Sequence, residues 1–455
     1  MITLEDVMHS WQMREGINST ASILNWIDSR NKELKVNIRQ ISLEECSGWM
    51  YDKASGMIRR NNMSFFAIAG VRRYKNNVLQ EQPIILQPEI GYLGIICKKI
   101  NGVLHFLMQS KIEPGNINTV QVSPTIQATK SNFTQKHGGS KPAYLDFFLS
   151  VSPDKFLVDQ IQSEQSSRFL HKRNRNIIRV LDDDENIEVL PSHKWMTLGQ
   201  IKWLMRQDNL VNMDTRTVIS CIPFSMLEGN KTAWMSGTPN REKIVEIYNE
   251  INNYKMFDSI APEIVDLFSL TQWRMKDREF VGDSHSAFKV IFCDIAIEGR
   301  EVRRWNQPLF AATGKALFGL LTAIDDKTGK REFLIHISPE VGCFDGVEIG
   351  PTVQQEAFES NKVKDEIIYF FEQKIKGSKP IVDVMLSEEG GRFYHEENRN
   401  IIFEVDKKEV PNEVPGYHWC DFATLNYLTQ INNCLNIQLR NLLSLIDLDS
   451  VKEDS

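Results

Sequence analysis

The frame R-F-x-H-x-x-N-R-N-I-I occurs twice, as RFLHKRNRNII at Arg168–Ile178 and as RFYHEENRNII at Arg392–Ile402, identical at eight of eleven positions across a shift of 224 residues. A self-match of this kind means that two copies of one supersecondary unit follow each other, so the fold of the first copy constrains that of the second. The same shift carries Trp195 onto Trp419 and Thr197 onto Asp421. Each of that last pair stands just before an apolar helical pattern: Leu198, Ile201 and Leu204 in one copy, Phe422, Leu425 and Leu428 in the other. Thr and Asp both accept hydrogen bonds from the first free N–H groups of a helix, and Gln200 completes a capping box.

Upstream, GYLGIICKKINGVLHFLMQSKI reads as two β-runs joined at Asn101-Gly102, a pair that accepts the positive φ angles of a tight hairpin turn. KALFGLLTAIDDKTGKREFLIHIS, at Lys315–Ser338, reads as its partner with Gly329 in a longer loop. Here a shift of 227 aligns Phe106 with Phe333, Glu113 with Glu340, Gly115 with Gly342 and the triplet SPT at Ser123 with GPT at Gly350. The expected fold class is α+β, a tandem duplication of a mixed-sheet module with flanking helices. The first domain is placed at 1–225, with a helical N-terminal segment, and the second at 226–455. Ile244, Ile247 and Ile251 predict a linking helix at the start of the second.

A chain of 455 residues is long enough for two such cores. Its net charge of −7 argues against bulk attraction to nucleic acid, so any anion site must be local. An RNA-binding module using LHKRNRNIIR is the rival reading, but only Phe169 stands near the basic residues to stack a base. The N-terminus has no secretory pattern and no run of about 18 apolar residues occurs, which predicts a cytoplasmic protein without a membrane span. Seven cysteines without a C-x-x-C pair, and nine histidines without H-x-x-x-H spacing, give no metal signature.

Polar residues crowd between the β-runs of the first copy: QPEIGYLG from Gln87, QSKIEPGN from Gln109, SPTIQATKSNFT from Ser123 and HGG from His137. Such clustering suits a pocket lining better than a core. Lys111 and Glu113 read either as a proton-transfer pair or as an exposed ion pair. His137 reads as an acid or base, or as a solvated loop residue. Tyr144 is a donor or a half-buried aromatic. Arg168, Arg173, Arg175 and Asn176 offer forked donors suited to a diphosphate, or form a basic strand edge. The second copy keeps Arg392, Asn398, Arg399 and Asn400 but has Glu396 and Glu397 where Lys172 and Arg173 stand, so it should hold anions less strongly. Retention of His171 and His395 in both copies points to a shared structural or positioning duty.

These runs, with the duplicated frame and MDTRTVISCIP at Met213–Pro223, resemble the sugar-nucleotide (NDP-hexose) 2,3-dehydratases over almost the whole chain. The resemblance implies a duplicated Nudix-like fold, a homodimer, a dTDP-4-keto-6-deoxyglucose substrate and a nucleotide-sugar site in each module, only one of them catalytic. It does not imply Nudix hydrolysis, because the glutamate-rich metal box of those hydrolases is absent.

Lys111, Glu113, His137 and Tyr144 are the catalytic residues expected on this basis. Gln109, Thr125, Gln127, Thr129, Ser131 and Asn132 are expected to bind substrate, with Arg168, Arg173, Arg175 and Asn176. In the second module Glu340, Thr352, Gln354, Arg392, Asn398 and Arg399 complete the expected binding set. Elimination of water moves no electrons out of the sugar, so no cofactor is expected. A noncatalytic nucleotide-sugar binding protein on the same fold is the alternative. One departure stands out. Where the family pattern tGxIxHxSGRFF carries histidine, SGMIRRNNMSFF carries Arg60, which points to a changed activity or substrate if that histidine mattered.

Overall fold

The computed structural model describes residues 2–62, 65–75, 78–129, 141–230, 235, 237–258, 260–299, 302–358, 365–412 and 414–448. Each copy of the repeat builds a seven-stranded mixed sheet. In module one the spatial order is Phe156–Ser163, Arg173–Val180, Gly91–Ile100, Val103–Ile112 and His193–Thr197. Val120–Ser123 adds to the fourth of these strands and Ile126–Ala128 to the third. Module two repeats the arrangement with Val382–Ser387, Glu397–Glu404, Leu317–Ile324, Arg331–Ser338 and Tyr417–Asp421. The repeated N-R-N-I-I segment is the central strand that pairs in parallel with Gly91–Ile100 or Leu317–Ile324. Both of its isoleucines are fully buried in each copy, as a strand covered on two faces requires.

The local signals act as expected. Asn101 and Gly102 take φ of 53° and 79°, closing a two-residue hairpin between Ile100 and Val103. Thr197 caps Leu198–Met205 with Gln200 in a reciprocal capping box, and Asp421 caps Phe422–Leu428. A second equivalent pair of helices follows, Met213–Ser220 capped by Asn212 and Ile437–Ser444 capped by Asn436. The linking helix runs Arg241–Asn253 and buries Ile247 and Ile251. No described helix is long and apolar enough to cross a membrane.

Two smaller six-stranded sheets tie the halves together by exchanging strands. Val36–Ile41, from the first half, pairs antiparallel with Phe288–Ile297 of the second. Glu263–Val265, from the second half, pairs antiparallel with Ala67–Lys75 of the first. One apolar cluster runs from Ile95 and Phe106 through to Leu320 and Phe333, so the modules share a core.

The repeated frame itself forms a reciprocal clasp. His171 and His395 sit at left-handed turns, φ 55° and 50°, with exposed rings. Their backbone N–H groups donate to Gly342 O and Gly115 O of the opposite module, each at 2.9 Å. In return Gly342 N donates to Ser166 O at 2.8 Å and Gly115 N to Gly390 O at 2.7 Å. The histidines thus share a structural duty. Two buried arginines repeat the exchange deeper in the core. Arg216 donates to Ser387 O at 2.8 Å, and Arg440 donates to Ser163 O.

Candidate functional site

Lys111 and Glu113 stand where the strand Val103–Ile112 runs into the tight E-P-G-N turn, so both reach past the sheet edge. Lys111 Nζ lies 2.9 Å from Glu113 Oε1 and donates to Gln127 O at 3.5 Å. They form one wall of a cleft with about 680 Å³ of free space, open to solvent. Phe65, Gln87, Tyr92 and Thr129 line its mouth and sides.

A second wall comes from the motif strand and the strand before it. Lys172 Nζ donates to Asn174 Oδ1 at 2.8 Å and to Glu89 O at 2.5 Å, while Asn174 Nδ2 donates to Glu164 Oε1 at 2.8 Å. Burial lowers the Lys172 ammonium to about 8 and lifts the Glu164 carboxyl above its ordinary value. Asp214, in the first turn of Met213–Ser220, is buried behind them. Burial, then the neighbouring charges of Glu164 and Glu389, hold its carboxyl well above the usual range.

The third wall belongs to module two. Glu389 and Arg392 both line the cleft of module one. The Arg392 guanidinium lies 4.4 Å over the rings of Phe65 and Phe66 and donates to Gln87 Oε1 at 3.1 and 3.2 Å. Glu389 Oε1 accepts from Gly391 N at 2.8 Å. Burial lifts the Glu389 carboxyl to about 7, opposed by Arg392 and reinforced by Glu113. The cleft therefore sets proton-holding carboxyls beside ammonium and guanidinium donors, which is the equipment of general acid–base chemistry on an anionic substrate.

In module two the equivalent residues gather around Arg168, which reaches them from module one. Its guanidinium lies 4.3 Å over Phe288 and meets Glu356 at 2.7 Å and Glu396 at 3.8 Å. The equivalent positions show how far the two sets have diverged: Lys111 becomes Ser338, Thr129 becomes Glu356, Lys172 becomes Glu396, Asp214 becomes Gln438 and Glu389 becomes Gln165. Burial raises Glu340 and Glu396 to about 7 and Glu348 and Glu388 to about 8.

A family model for NDP-hexose 2,3-dehydratase matches residues 20–222 and 233–446. The chain belongs to that family. A dTDP-4-dehydro-6-deoxy-alpha-D-glucopyranose 2,3-dehydratase of Saccharopolyspora spinosa is 35% identical over 448 residues, covering 94% of this chain and 91% of that protein. One of the same name from Streptomyces violaceoruber is 35% identical over 443 residues, covering 94% and 97%. A third, from Amycolatopsis orientalis, is 31% identical over 439 residues, covering 94% and 90%. Among solved structures, an ADP compounds hydrolase covers 39% of this chain and 92% of its own at 12% identity, with a TM-score of 0.24.

Of the residues expected from sequence, the dehydratase brings Lys111, Glu113, Gln127, Thr129 and Arg392 into the cleft. His137, Ser131 and Asn132 lie outside the described residues. Gln109 pairs in register with Ser123 and His193 and is not among the residues that line it. Tyr144 is committed elsewhere: its hydroxyl donates to Glu188 O at 2.8 Å and accepts from Leu190 N at 3.0 Å, anchoring a loop.

The arginines expected to grip the diphosphate each have partners of their own in the structure. Successive side chains on a strand point to opposite faces, so Asn176 faces away from Arg173 and Arg175. Arg175 is paired across the sheet with Asp159 at 2.6 Å, and its equivalent Arg399 with Asp383 at 2.7 Å. Arg173 stacks 3.7 Å over Phe344, and Asn176 donates to Asn174 O at 3.1 Å. In module two, Asn398 accepts from Ala316 N at 2.9 Å and donates to Glu388 at 2.6 Å, and Gln354 donates to Glu340 at 2.9 Å.

Thr125 and Thr352 are buried pins between strands. Thr125 Oγ1 accepts from Ile96 N at 2.9 Å and donates to Leu107 O; Thr352 makes the same two bonds with Leu321 N and Leu334 O. Thr125→Val strands a buried donor and acceptor and is expected to cost about 2 kcal/mol or more in chemical denaturation. KM stays unchanged, as it would not for a ligand residue.

Arg60 pairs in register with Trp49 and does not line the cleft, although Phe65, at the end of the same stretch, does. Glu164, Lys172, Asn174, Asp214 and Glu389 were not anticipated as site residues. Extending the repeat upstream from Arg168 to Glu164 and from Arg392 to Glu388 is the signal that would have found Glu389, which faces Gln165 in the alignment.

The buried carboxyls of module two give a pH signature. A carboxyl whose folded-state pKa exceeds its unfolded value binds more protons when folded, so its stabilisation is complete below the unfolded pKa and is lost as pH rises through the folded one. With Glu340, Glu348, Glu388 and Glu396 raised to about 7 to 8, stability is expected to fall as the pH is raised from 6 to 9. Glu348→Gln should flatten that slope in thermal melts; the equivalent residue in module one is already Gln121.

Proposed function

We propose that the dehydratase removes water across C2 and C3 of dTDP-4-keto-6-deoxyglucose in the cleft of module one, giving dTDP-3,4-diketo-2,6-dideoxyglucose. The single observation that carries this reading is the Lys111–Glu113 pair at 2.9 Å, walled by carboxyls in module one and lost in module two, where Ser338 replaces the lysine. A C4 ketone acidifies the C3 hydrogen. Glu113 takes that proton, and the Lys111 ammonium stabilises the charge developing on the C4 oxygen. The electron pair then returns to form the C2–C3 double bond as the C2 hydroxyl leaves, and the resulting 3-enol tautomerises to the diketone.

Lys172 and Arg392 are the cleft-lining cations for the diphosphate. Module two binds or braces, and its buried carboxyls support a weaker hold on nucleotide. The modules are Nudix-like, a reading supported by their mixed sheets with a parallel central pair and flanking helices. Seven buried, unpaired cysteines fit a reducing cytoplasm. The exposed apolar side chains of Val245, Met256, Phe257 and Ile260 supply a surface for a homodimer.

The test is incubation with the keto-sugar nucleotide in deuterated water, followed by proton NMR. Dehydration places deuterium at C2 and removes the C2 hydroxyl. Tight binding with neither change would instead identify a noncatalytic nucleotide-sugar binding protein.

A further inference from the structure

Water elimination needs one group to take the C3 proton and another to give a proton to the departing C2 oxygen. Glu113, paired with an ammonium, suits the first task; Glu164, Asp214 and Glu389 are the buried carboxyls of the cleft left for the second. We propose that Glu389, carried by module two, is the general acid that protonates the C2 hydroxyl as it leaves. This rests on the reading of Lys111 and Glu113 given above.

Placement is the main argument. Glu389 lies in the second half of the chain, yet it lines the cleft of the first. A methyl group built on Gly391 would come 2.3 Å from Glu389 Oε1 and 3.0 Å from Glu113 Oε2. The two carboxylate oxygens are therefore no further apart than those distances laid end to end, close enough to serve adjacent carbons of one sugar ring. The loop bearing Glu389 is held by Gly115 N donating to Gly390 O at 2.7 Å and by Gln307 Nε2 donating to Gly391 O at 2.7 Å. Its carboxylate is thus presented by a fixed backbone.

Divergence between the two sets is the second argument. The position of Glu389 is held by Gln165 in the other set, which also has Ser338 in place of Lys111. An amide cannot deliver a proton, so the enolate-stabilising ammonium and the acid are lost together in one set and kept together in the other. Burial, which lifts the Glu389 carboxyl to about 7, keeps a proton on it near neutral pH.

The step balances. Glu113 accepts the C3 proton and the C3–H electrons pass to the C4 oxygen. They return to form the C2–C3 double bond as the C2–O bond breaks, and the Glu389 proton goes to the leaving oxygen to give water. Tautomerisation then removes the O3 proton and adds one at C2, with no oxidant or reductant consumed.

Glu389→Gln tests this, since Gln165 shows that the fold accepts glutamine at the equivalent turn. The variant is assayed in deuterated water on the natural substrate and on its 2-fluoro analogue, whose leaving group needs little protonation. Hydroxyl loss is expected to fall by about a hundred- to ten-thousand-fold, fluoride loss to stay within about tenfold of wild type, and C3 hydrogen exchange to continue. An equal fall for both leaving groups, or no fall for hydroxyl, would overturn the proposal. Glu113→Gln in parallel separates the two readings. If it still exchanges the C3 hydrogen while Glu389→Gln shows the leaving-group split, the base assignment fails and the acid assignment stands.

Discussion

Glu113→Gln lowers kcat for water elimination by about a hundred- to ten-thousand-fold and stops exchange of the C3 hydrogen with solvent. Affinity for thymidine diphosphate is unchanged, because the side chain acts at the hexose. The glutamine keeps the shape of the side chain but cannot accept a proton from carbon. Lys111→Met, which removes the ammonium 2.9 Å from that carboxylate, lowers kcat by about a hundred- to a thousand-fold, the scale of one lost oxyanion donor. Single-turnover kinetics with NMR detection check both. A Lys111→Met enzyme that elimates at the wild-type rate would move the enolate-stabilising charge to another residue.

Gly115→Ala is expected to be the most destabilising small substitution in the molecule. A Cβ at Gly115 would stand 1.6 Å from Phe393 O, a backbone atom of the opposite module that cannot turn aside. The clasp must open, stretching the bonds from Gly115 N to Gly390 O and from His395 N to Gly115 O. The combined overpacking and lost hydrogen bonding cost about 3 kcal/mol in denaturant titrations. Glu389 and Arg392 ride on the same loop, so activity falls with stability. Gly377→Ala is the control: nothing lies within 4 Å of its added carbon, and its stability should change by less than about 1 kcal/mol.

The tandem architecture was legible because the frame encodes local structure: a left-handed turn at the histidine, then a central strand of alternating Asn and Arg ending in two buried isoleucines. Asn101-Gly102 and the Thr197–Gln200 capping box were legible for the same reason, each being satisfied within a few residues. Strand exchange was not. Val36–Ile41 finds its partner at Phe288–Ile297, and pairing over that separation leaves no periodic trace in either segment.

The site was half legible. Lys111, Glu113 and Gln127 announce themselves as polar residues between β-runs, whereas the cross-strand partners of Arg175 and Arg399 are not apparent from the motif alone. Asp159 precedes Arg175 by the same sixteen residues that separate Asp383 from Arg399, an acidic partner that the repeat itself preserves. Reading each motif as the property of its own module also hid the exchange by which Arg168 serves module two and Arg392 serves module one. Glu389 went unseen for that reason.

The most direct measurement is a crystal structure of the Glu113→Gln enzyme soaked with dTDP-4-keto-6-deoxyglucose, the variant being slow enough to hold its substrate. The hexose should lie in the cleft of module one, with C3 beside residue 113, the C4 oxygen against Lys111 and the C2 hydroxyl facing Glu389. A hexose found only beside Glu340 and Arg168, with the cleft of module one empty, would contradict the account.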